Sequence, residues 1–350
     1  MRGRRARWSE HHGVPFTGAA GKIEAVTEPT GRLAAHGLSK RFGPIAAVEG
    51  LSFDVEPGQV TGFLGPNGSG KTTTLRMLLG LVRPSAGTAE IDGVPYAALR
   101  RPASVVGAVL EARGFHPARS ARRHLLACTA AIPVPDAAAE EALHTVGLAG
   151  VADHPVGRFS LGMRQRLAIA VALLGDPRAL VLDEPGNGLD PEGIVWLRTF
   201  LREFAQRGRS VLVSSHLLAE MEQTADRLVV INQGRRVYQG GLAELRSSAG
   251  PRVLVRCAAP ARLAEALARS GIAEIDSLPD GRLAVAGTDP VRVGDTALAA
   301  GVAVYGMELE RVDLEQLFFR LTAEQHRDGT PAPAVDPAPA VDPMRQWAPR

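Results

Sequence analysis

This chain of 350 residues predicts an α/β fold: a mostly parallel sheet with helices on both faces, followed by a smaller α+β domain. Three observations lead there. A glycine-rich loop, Gly65-Pro66-Asn67-Gly68-Ser69-Gly70-Lys71-Thr72, stands between an apolar run and a helical one. Short apolar strands alternate with helical segments from Leu161 to Ile231, the pattern of a parallel sheet buried on both sides. After about Ala249 the texture changes to shorter strands and helices.

The elements follow in order. Residues 1–30 are polar and aperiodic and form a disordered extension in this reading. Leu33–Leu38 and Leu51–Val55 read as strands of an antiparallel edge, with turns at Gly43-Pro44 and Glu56-Pro57-Gly58. Val60–Leu64 is a buried strand entering the glycine-rich loop, and Thr73–Leu81 a helix leaving it. Gly87–Asp92 and Val105–Leu110 are further strands. Ser120 to Val151 turns helical, and Leu161–Leu174 is a strong helix. Strands Leu180–Asp183, Ser210–Ser214 and Leu228–Ile231 are separated by helices Pro191–Arg207 and Leu217–Thr224. Val253–Cys257, Ala261–Ser270, Ala284–Ala286 and Val302–Glu308 build the small domain, closed by a helix at Leu314–Thr322. The resulting division is 1–30, 31–248 with a helical subdomain at about 112–175, 250–324, and a tail at 325–350. That tail reads Pro-Ala-Pro-Ala-Val-Asp twice and has no means of burying a core.

Composition narrows the classes. The formal net charge is +3, and the N-terminal run Arg2, Arg4, Arg5, Arg7 supplies part of it. No basic face recurs in the body, so no nucleic acid is expected as a partner. Two cysteines far apart, Cys128 and Cys257, fit reduced thiols better than a disulfide framework. No apolar stretch approaches the roughly 18–20 residues that span a bilayer, and the basic start is not followed by a signal-peptide core. A soluble chain is expected, and a membrane role would need a partner.

The glycine-rich loop fits the phosphate-loop pattern G-x-x-x-x-G-K-[ST] in its strand–loop–helix setting. Its glycines let backbone N–H groups curl around phosphate oxygens, and the helix N-terminus adds partial positive charge. Lys71 can reach the outer phosphates, and the Thr72 hydroxyl can ligate Mg²⁺. Leu180–Asp183 is an apolar strand that ends in two adjacent acids, Asp183 and Glu184, before Pro185. Buried charge is costly unless it is paired or metal-bound, which gives Asp183 to the Mg²⁺ shell. Glu184 is placed to orient or deprotonate a water aimed at the terminal phosphate. His216 follows strand Ser210–Ser214, at the sheet edge where ligands of such folds bind. Its imidazole could contact the same phosphate or the water.

With these residues in place the chain resembles the ATP-binding subunits of ABC transporters, over about Leu33 to Leu245. Phe159-Ser160-Leu161-Gly162-Met163-Arg164-Gln165 is similar to that family's signature loop. Ser160 opens a helix there, so an anion can meet its N-terminus. Gly188-Leu189-Asp190 resembles the D-loop, and Ser214-Ser215-His216 the histidine switch. Phe42 matches the aromatic that stacks on adenine, and the ATP site extends from Gly65 through Thr73. Glu111 stands where the family carries its Q-loop glutamine, a ligand of Mg²⁺ through water. Leu161 and Met163 replace the usual signature glycine and glutamine, while Ser160 and Gly162 remain. These departures resemble the subgroup serving drug, antibiotic and bacteriocin exporters. So do Ser215-His216-Leu217-Leu218-Ala219-Glu220-Met221 and Asp313-Leu314-Glu315-Gln316-Leu317-Phe318.

The resemblance implies a P-loop NTPase cassette that binds ATP and Mg²⁺. It implies pairing with a second copy or a related subunit, Ser160, Leu161, Gly162 and Met163 completing the site of the other chain. It also implies a separate integral-membrane permease, placing the chain peripherally at the cytoplasmic face of the membrane. Gly114-Phe115-His116-Pro117 and the helical segment to Val151 would form the docking arm. A soluble cassette with a non-transport role is the alternative; one cassette, no heptad run and no basic stripe disfavour it. An ATP-holding module without turnover fits poorly beside Glu184 and His216.

Overall fold

The computed structural model describes residues 30–111, 114–248 and 252–310. The expectations for the N-terminal extension, the helix Leu314–Thr322 and the proline-rich tail lie outside them.

The chain opens with a hairpin, β1 (Leu33–Phe42) and β2 (Ile45–Val55), and continues into β3 (Val60–Leu64) and helix α1 (Lys71–Leu78). Strand β4 (Ala86–Ile91) pairs with the other side of β1, giving an antiparallel sheet of order β2-β1-β4. One helical turn, α2 (Pro102–Val105), leads into β5 (Val106–Val109). Two short helices, α3 (Ala121–Thr129) and α4 (Ala137–Thr145), pack with α5 (Leu161–Leu173). Then β6 (Ala179–Asp183), α6 (Pro191–Gln206), β7 (Ser210–Ser215), α7 (Leu218–Thr224) and β8 (Arg227–Asn232) alternate, and β9 (Arg235–Gly241) and α8 (Leu242–Ser248) follow.

Strands β5-β6-β7-β3-β8-β9 form a six-stranded sheet, parallel except for β9. Every residue of β3, β6 and β7 is buried, because both faces are covered. Alternate residues go to opposite sides. Val60, Leu64, Leu180, Leu182, Val211 and Val213 join the core shared with α3–α6. Phe63, Val181, Leu212, Val229 and Ile231 join the core shared with α1 and the antiparallel sheet. The register pairs Asp183 with Ser214 and Leu64 with Ser215, so the ends of β3, β6 and β7 lie side by side.

Some bounds differ from expectation. The helix expected at Thr73–Leu81 starts two residues earlier, at Lys71, and stops at Leu78, where Gly80 follows. Val105, expected to begin a strand, closes the turn α2 instead, since Pro102 suits a first helical position. The helical stretch from Ser120 is broken between Ala130 and Asp136, where Pro133 and Pro135 interrupt it.

The second sheet has order β11-β12-β10-β13, formed by β10 (Arg252–Cys257), β11 (Ile275–Ser277), β12 (Leu283–Ala286) and β13 (Val304–Glu310). Helices α9 (Pro260–Arg269) and α10 (Pro290–Ala299) pack on one face through Leu263, Leu267, Val293 and Ala297. β11 and α10 are elements that the sequence reading does not contain.

Candidate active site

The glycine-rich loop runs from the end of β3 to the start of α1. Gly70 caps α1 with a left-handed backbone, φ 102°, and a β-carbon there would lie 2.5 Å from the Ala47 carbonyl oxygen. Only glycine meets both demands without strain. Lys71 is 6% exposed, and its ammonium donates to the carbonyls of Gly65 at 2.7 Å and Pro66 at 3.3 Å. The cation therefore sits over its own loop, where it needs little rearrangement to meet phosphate oxygens. Ser69 is buried, and its carbonyl accepts from Gly234 N at 3.0 Å, while the Gly234 carbonyl accepts from Glu49 N at 2.9 Å.

The parallel register brings three strand ends to this loop. The Thr72 hydroxyl donates to Asp183 Oδ2 at 2.6 Å, and the Ser214 hydroxyl donates to Asp183 Oδ1 in a very short contact. Ser214 Oγ also accepts from the Glu184 backbone N–H at 3.0 Å. Ser214 thus ties the two acids to β7, a role that the sequence reading missed; its register opposite Asp183 is the structural signal. Glu184 has φ 49°, a left-handed conformation that costs a non-glycine residue energy and collects at functional positions. That bend aims its carboxylate at two partners: Lys71 Nζ lies 3.5 Å from Oε1, and His216 Nδ1 lies 2.7 Å from Oε2. A carboxylate accepts, so Nδ1 is the donor in this contact, and Nε2 takes no part in it. A third acid, Glu220, lies against Gly186: a β-carbon there would be 2.9 Å from Glu220 Oε2. Burial raises the Glu220 pKa, the charge of Glu184 adds to the rise, and His216 opposes it.

Thr72 and Asp183 place a hydroxyl and a carboxylate oxygen side by side, the hard oxygen donors that Mg²⁺ takes together with phosphates and water. Among the described residues no group of three or more His, Cys, Asp or Glu side chains could hold a metal by itself. Glu111 is not brought to Thr72 or Asp183; its exposed carboxylate pairs with Arg76 at 3.3 Å. Phe42 is exposed at the end of β1, with the Lys40 ammonium 5.0 Å from its ring centroid.

Ser160 caps α5, its hydroxyl accepting from Met163 N at 3.1 Å. Asp190 caps α6 in the same way, accepting from Gly193 N at 2.8 Å. The two loops pack on one another. Gly188 has φ 79°, and a β-carbon on it would lie 2.0 Å from Leu161 Cδ2. Gly162 faces Leu189 less tightly, 3.2 Å from a β-carbon to Leu189 Cδ2. Among the described residues no hydrogen bond joins Ser160–Met163 to the loop Gly65–Thr73.

A phosphate loop beside an acid pair and a histidine at the carboxyl edge of a parallel sheet defines a nucleoside-triphosphatase of the P-loop class. The family model described as ABC transporter matches residues 48–187, and a domain family of unknown function matches 251–315. The Nod factor export ATP-binding protein I of Burkholderia lata is 42% identical over 210 residues, covering 58% of this chain and 68% of that protein. The bacitracin transport ATP-binding protein BcrA of Bacillus licheniformis is 43% identical over 205 residues, covering 57% of this chain and 66% of that protein. A solved ATP-binding subunit of an ABC transporter superposes with TM-score 0.56 at 28% identity, covering 62% of this chain and 92% of its own. The chain belongs to the ABC transporter family of ATP-binding proteins, and it is an ATPase of that type.

Proposed function

We propose that the chain is the ATP-hydrolysing subunit of an export-type transporter. It works in pairs, with a second copy or a related subunit, under a separate integral-membrane permease at the cytoplasmic face of the membrane. The observation that carries the reading is Glu184 held between Lys71 and His216 at the mouth of the phosphate loop. Among the described residues no helix is long and apolar enough to cross a membrane.

In this reading Gly65–Thr73 cradle the phosphates, and Lys71 moves from its loop carbonyls to the terminal phosphate, where charge builds in the transition state. Phe42 stacks on the base. Glu184 accepts a proton from the attacking water, and His216 holds Glu184 by Nδ1 while its Nε2 can accept a hydrogen bond from the same water. Thr72 and Asp183 would hold Mg²⁺, which would supply charge neutralisation at the phosphate oxygens; Glu111 would join them only on leaving Arg76. Ser160, Leu161, Gly162 and Met163 complete the site of the opposite chain, next to Gly188, Leu189 and Asp190. The packing of Leu161 on Gly188 supports that grouping, because it makes the two loops one surface. ATP binding favours the closed pair and hydrolysis reopens it. The relatives named for bacitracin transport and Nod factor export support a drug, antibiotic or peptide as cargo for export.

The test is purification of the tagged chain from native membranes in mild detergent. A polytopic membrane protein recovered in stoichiometric amount is the expected result. Recovery from the soluble fraction alone, or with ribosomes or DNA, would overturn the transport reading.

A further inference from the structure

Glu220 stands beside the acid pair without a partner. It lies in the first turn of α7 and is half-buried. Among the described residues its carboxylate makes no hydrogen bond and no ion pair. The donors around it are committed elsewhere. Ser214 donates to Asp183, and Ser215 exchanges bonds with Leu217. Thr224 donates to the Glu220 backbone carbonyl, and Arg198 to Gln223. Glu220 also borders a cavity of about 20 Å³ walled by Ile194, Leu197, Val213 and Met221. A half-buried carboxylate with no donor of its own is costly, which points to a task at the site next to it.

Its place is set by the turn that leaves Glu184. Pro185 and Gly186 follow that acid, and the Glu220 carboxylate rests against Gly186: a β-carbon there would lie 2.9 Å from Oε2 and 3.4 Å from Cδ. Gly186 therefore clears the space that Glu220 fills. The two oxygens of Glu184 are held by Lys71 and His216, 3.5 and 2.7 Å away. Glu220 brings a second negative charge to the same acid from α7, close enough for the two to interact. Like charges repel, so Glu184 is drawn toward Lys71 and His216 and kept from turning back along its own chain toward Gly186.

We propose that Glu220 is a positioning residue for hydrolysis: its negative charge, seated against Gly186, keeps the Glu184 carboxylate turned to Lys71 and His216. The role acts through Glu184 and rests on the reading of Glu184 as the proton acceptor. The charged and titratable groups that face Glu220 are Glu184 from the end of β6, His216 from the end of β7 and Arg198 from α6, the last engaged by Gln223. Burial first, then the charge of Glu184, raise the Glu220 pKa, so as pH falls its charge is lost earlier than that of an ordinary glutamate.

The test is steady-state ATP hydrolysis by the full chain and by Glu220→Gln, Glu220→Asp and Gly186→Ala. Glu220→Gln keeps the shape and removes the charge. Its kcat should fall about five- to tenfold at neutral pH, with KM for ATP and melting temperature unchanged. Glu220→Asp, which keeps the charge, should recover most of the rate. Gly186→Ala pushes the carboxylate aside with a methyl; it should lower kcat as well and add nothing to Glu220→Gln. The ratio of the parent rate to the Glu220→Gln rate should shrink toward one as pH falls, because the parent then loses the same charge. In a Glu184→Gln background, Glu220→Gln should change nothing further. The proposal is overturned by a Glu220→Gln kcat equal to the parent's, by a loss that tracks a lowered melting temperature, or by equal loss in Glu220→Gln and Glu220→Asp at a ratio independent of pH. Glu184→Gln alone separates the two levels. If it turns over like the parent, the proton-acceptor reading falls and this role with it. If it is inactive while Glu220→Gln matches the parent, this role alone falls.

Discussion

The imidazole of His216 is hydrogen-bonded through Nδ1 to Oε2 of Glu184 at 2.7 Å, and the other oxygen of the same carboxylate faces Lys71. One carboxylate is thus held from both sides by groups from two other elements, the start of α1 and the end of β7. Replacing it by an amide keeps its shape and removes its capacity to take a proton. Glu184→Gln should retain ATP binding and lower kcat by about 10²–10⁴. Phosphate release against retained nucleotide is the measurement; turnover within a factor of a few of the parent would remove Glu184 as the base.

His216→Ala should reduce kcat while leaving KM nearly unchanged, since the imidazole acts on the proton acceptor more than on nucleotide binding. His216→Gln, which restores a donor near Nδ1, should recover part of the loss. Equal loss in both variants would assign His216 a packing role.

Gly70→Ala forces a β-carbon to within 2.5 Å of the Ala47 carbonyl on a left-handed backbone. Strain of this kind costs on the order of 1–3 kcal/mol or more. The variant should melt several degrees lower and lose nucleotide binding by equilibrium titration. Undiminished ATP affinity would show that the loop tolerates reshaping.

Gly188→Ala drives a methyl into Leu161, whose Cδ2 would be 2.0 Å away. ATP hydrolysis should fall with binding to the single chain intact, because the clash disturbs the surface offered to the opposite chain. Leu161→Ala added to it should restore part of the rate. A double variant no better than the single would separate the two loops functionally.

His124 reports on acid stability. Burial first, and the charge of Arg119 second, hold its imidazole below the ordinary range. The unfolded chain therefore binds more protons below about pH 6.5, and this part of the stability, present above that value, is lost as pH falls below it. His124→Phe should flatten the decline in melting temperature between neutral pH and about pH 5.5. An unchanged slope would place the acid sensitivity elsewhere.

Much of this architecture is legible in the residues themselves. β3, β6 and β7 are apolar because two cores claim them, and that same property made them visible as short unbroken runs. The phosphate loop and the Asp183-Glu184 pair stand out because glycine spacing and adjacent acids have few other uses. β9 escaped because Arg235-Arg236-Val237-Tyr238-Gln239 lacks an apolar alternation; pairing with β8 makes it a strand. α10 escaped because Val291 and Leu298 blur its buried face of Val293 and Ala297. Ser214 could not be assigned from sequence, since its part depends on register between β6 and β7, a tertiary fact. Glu111 shows the same limit in reverse: its place in the order of motifs is clear, but its partner, Arg76, is set by the fold.

The turn between β8 and β9 acts like a rivet. Through Gly234 one short segment grips the Ser69 carbonyl with its N–H and receives the N–H of Glu49 from β2. The phosphate cradle, the antiparallel sheet and the β8–β9 hairpin are fastened at a single point. A glycine-rich loop so fastened shares its footing with both sheets, and a change in its shape would be felt at Glu49 and at the β8–β9 turn before anywhere else.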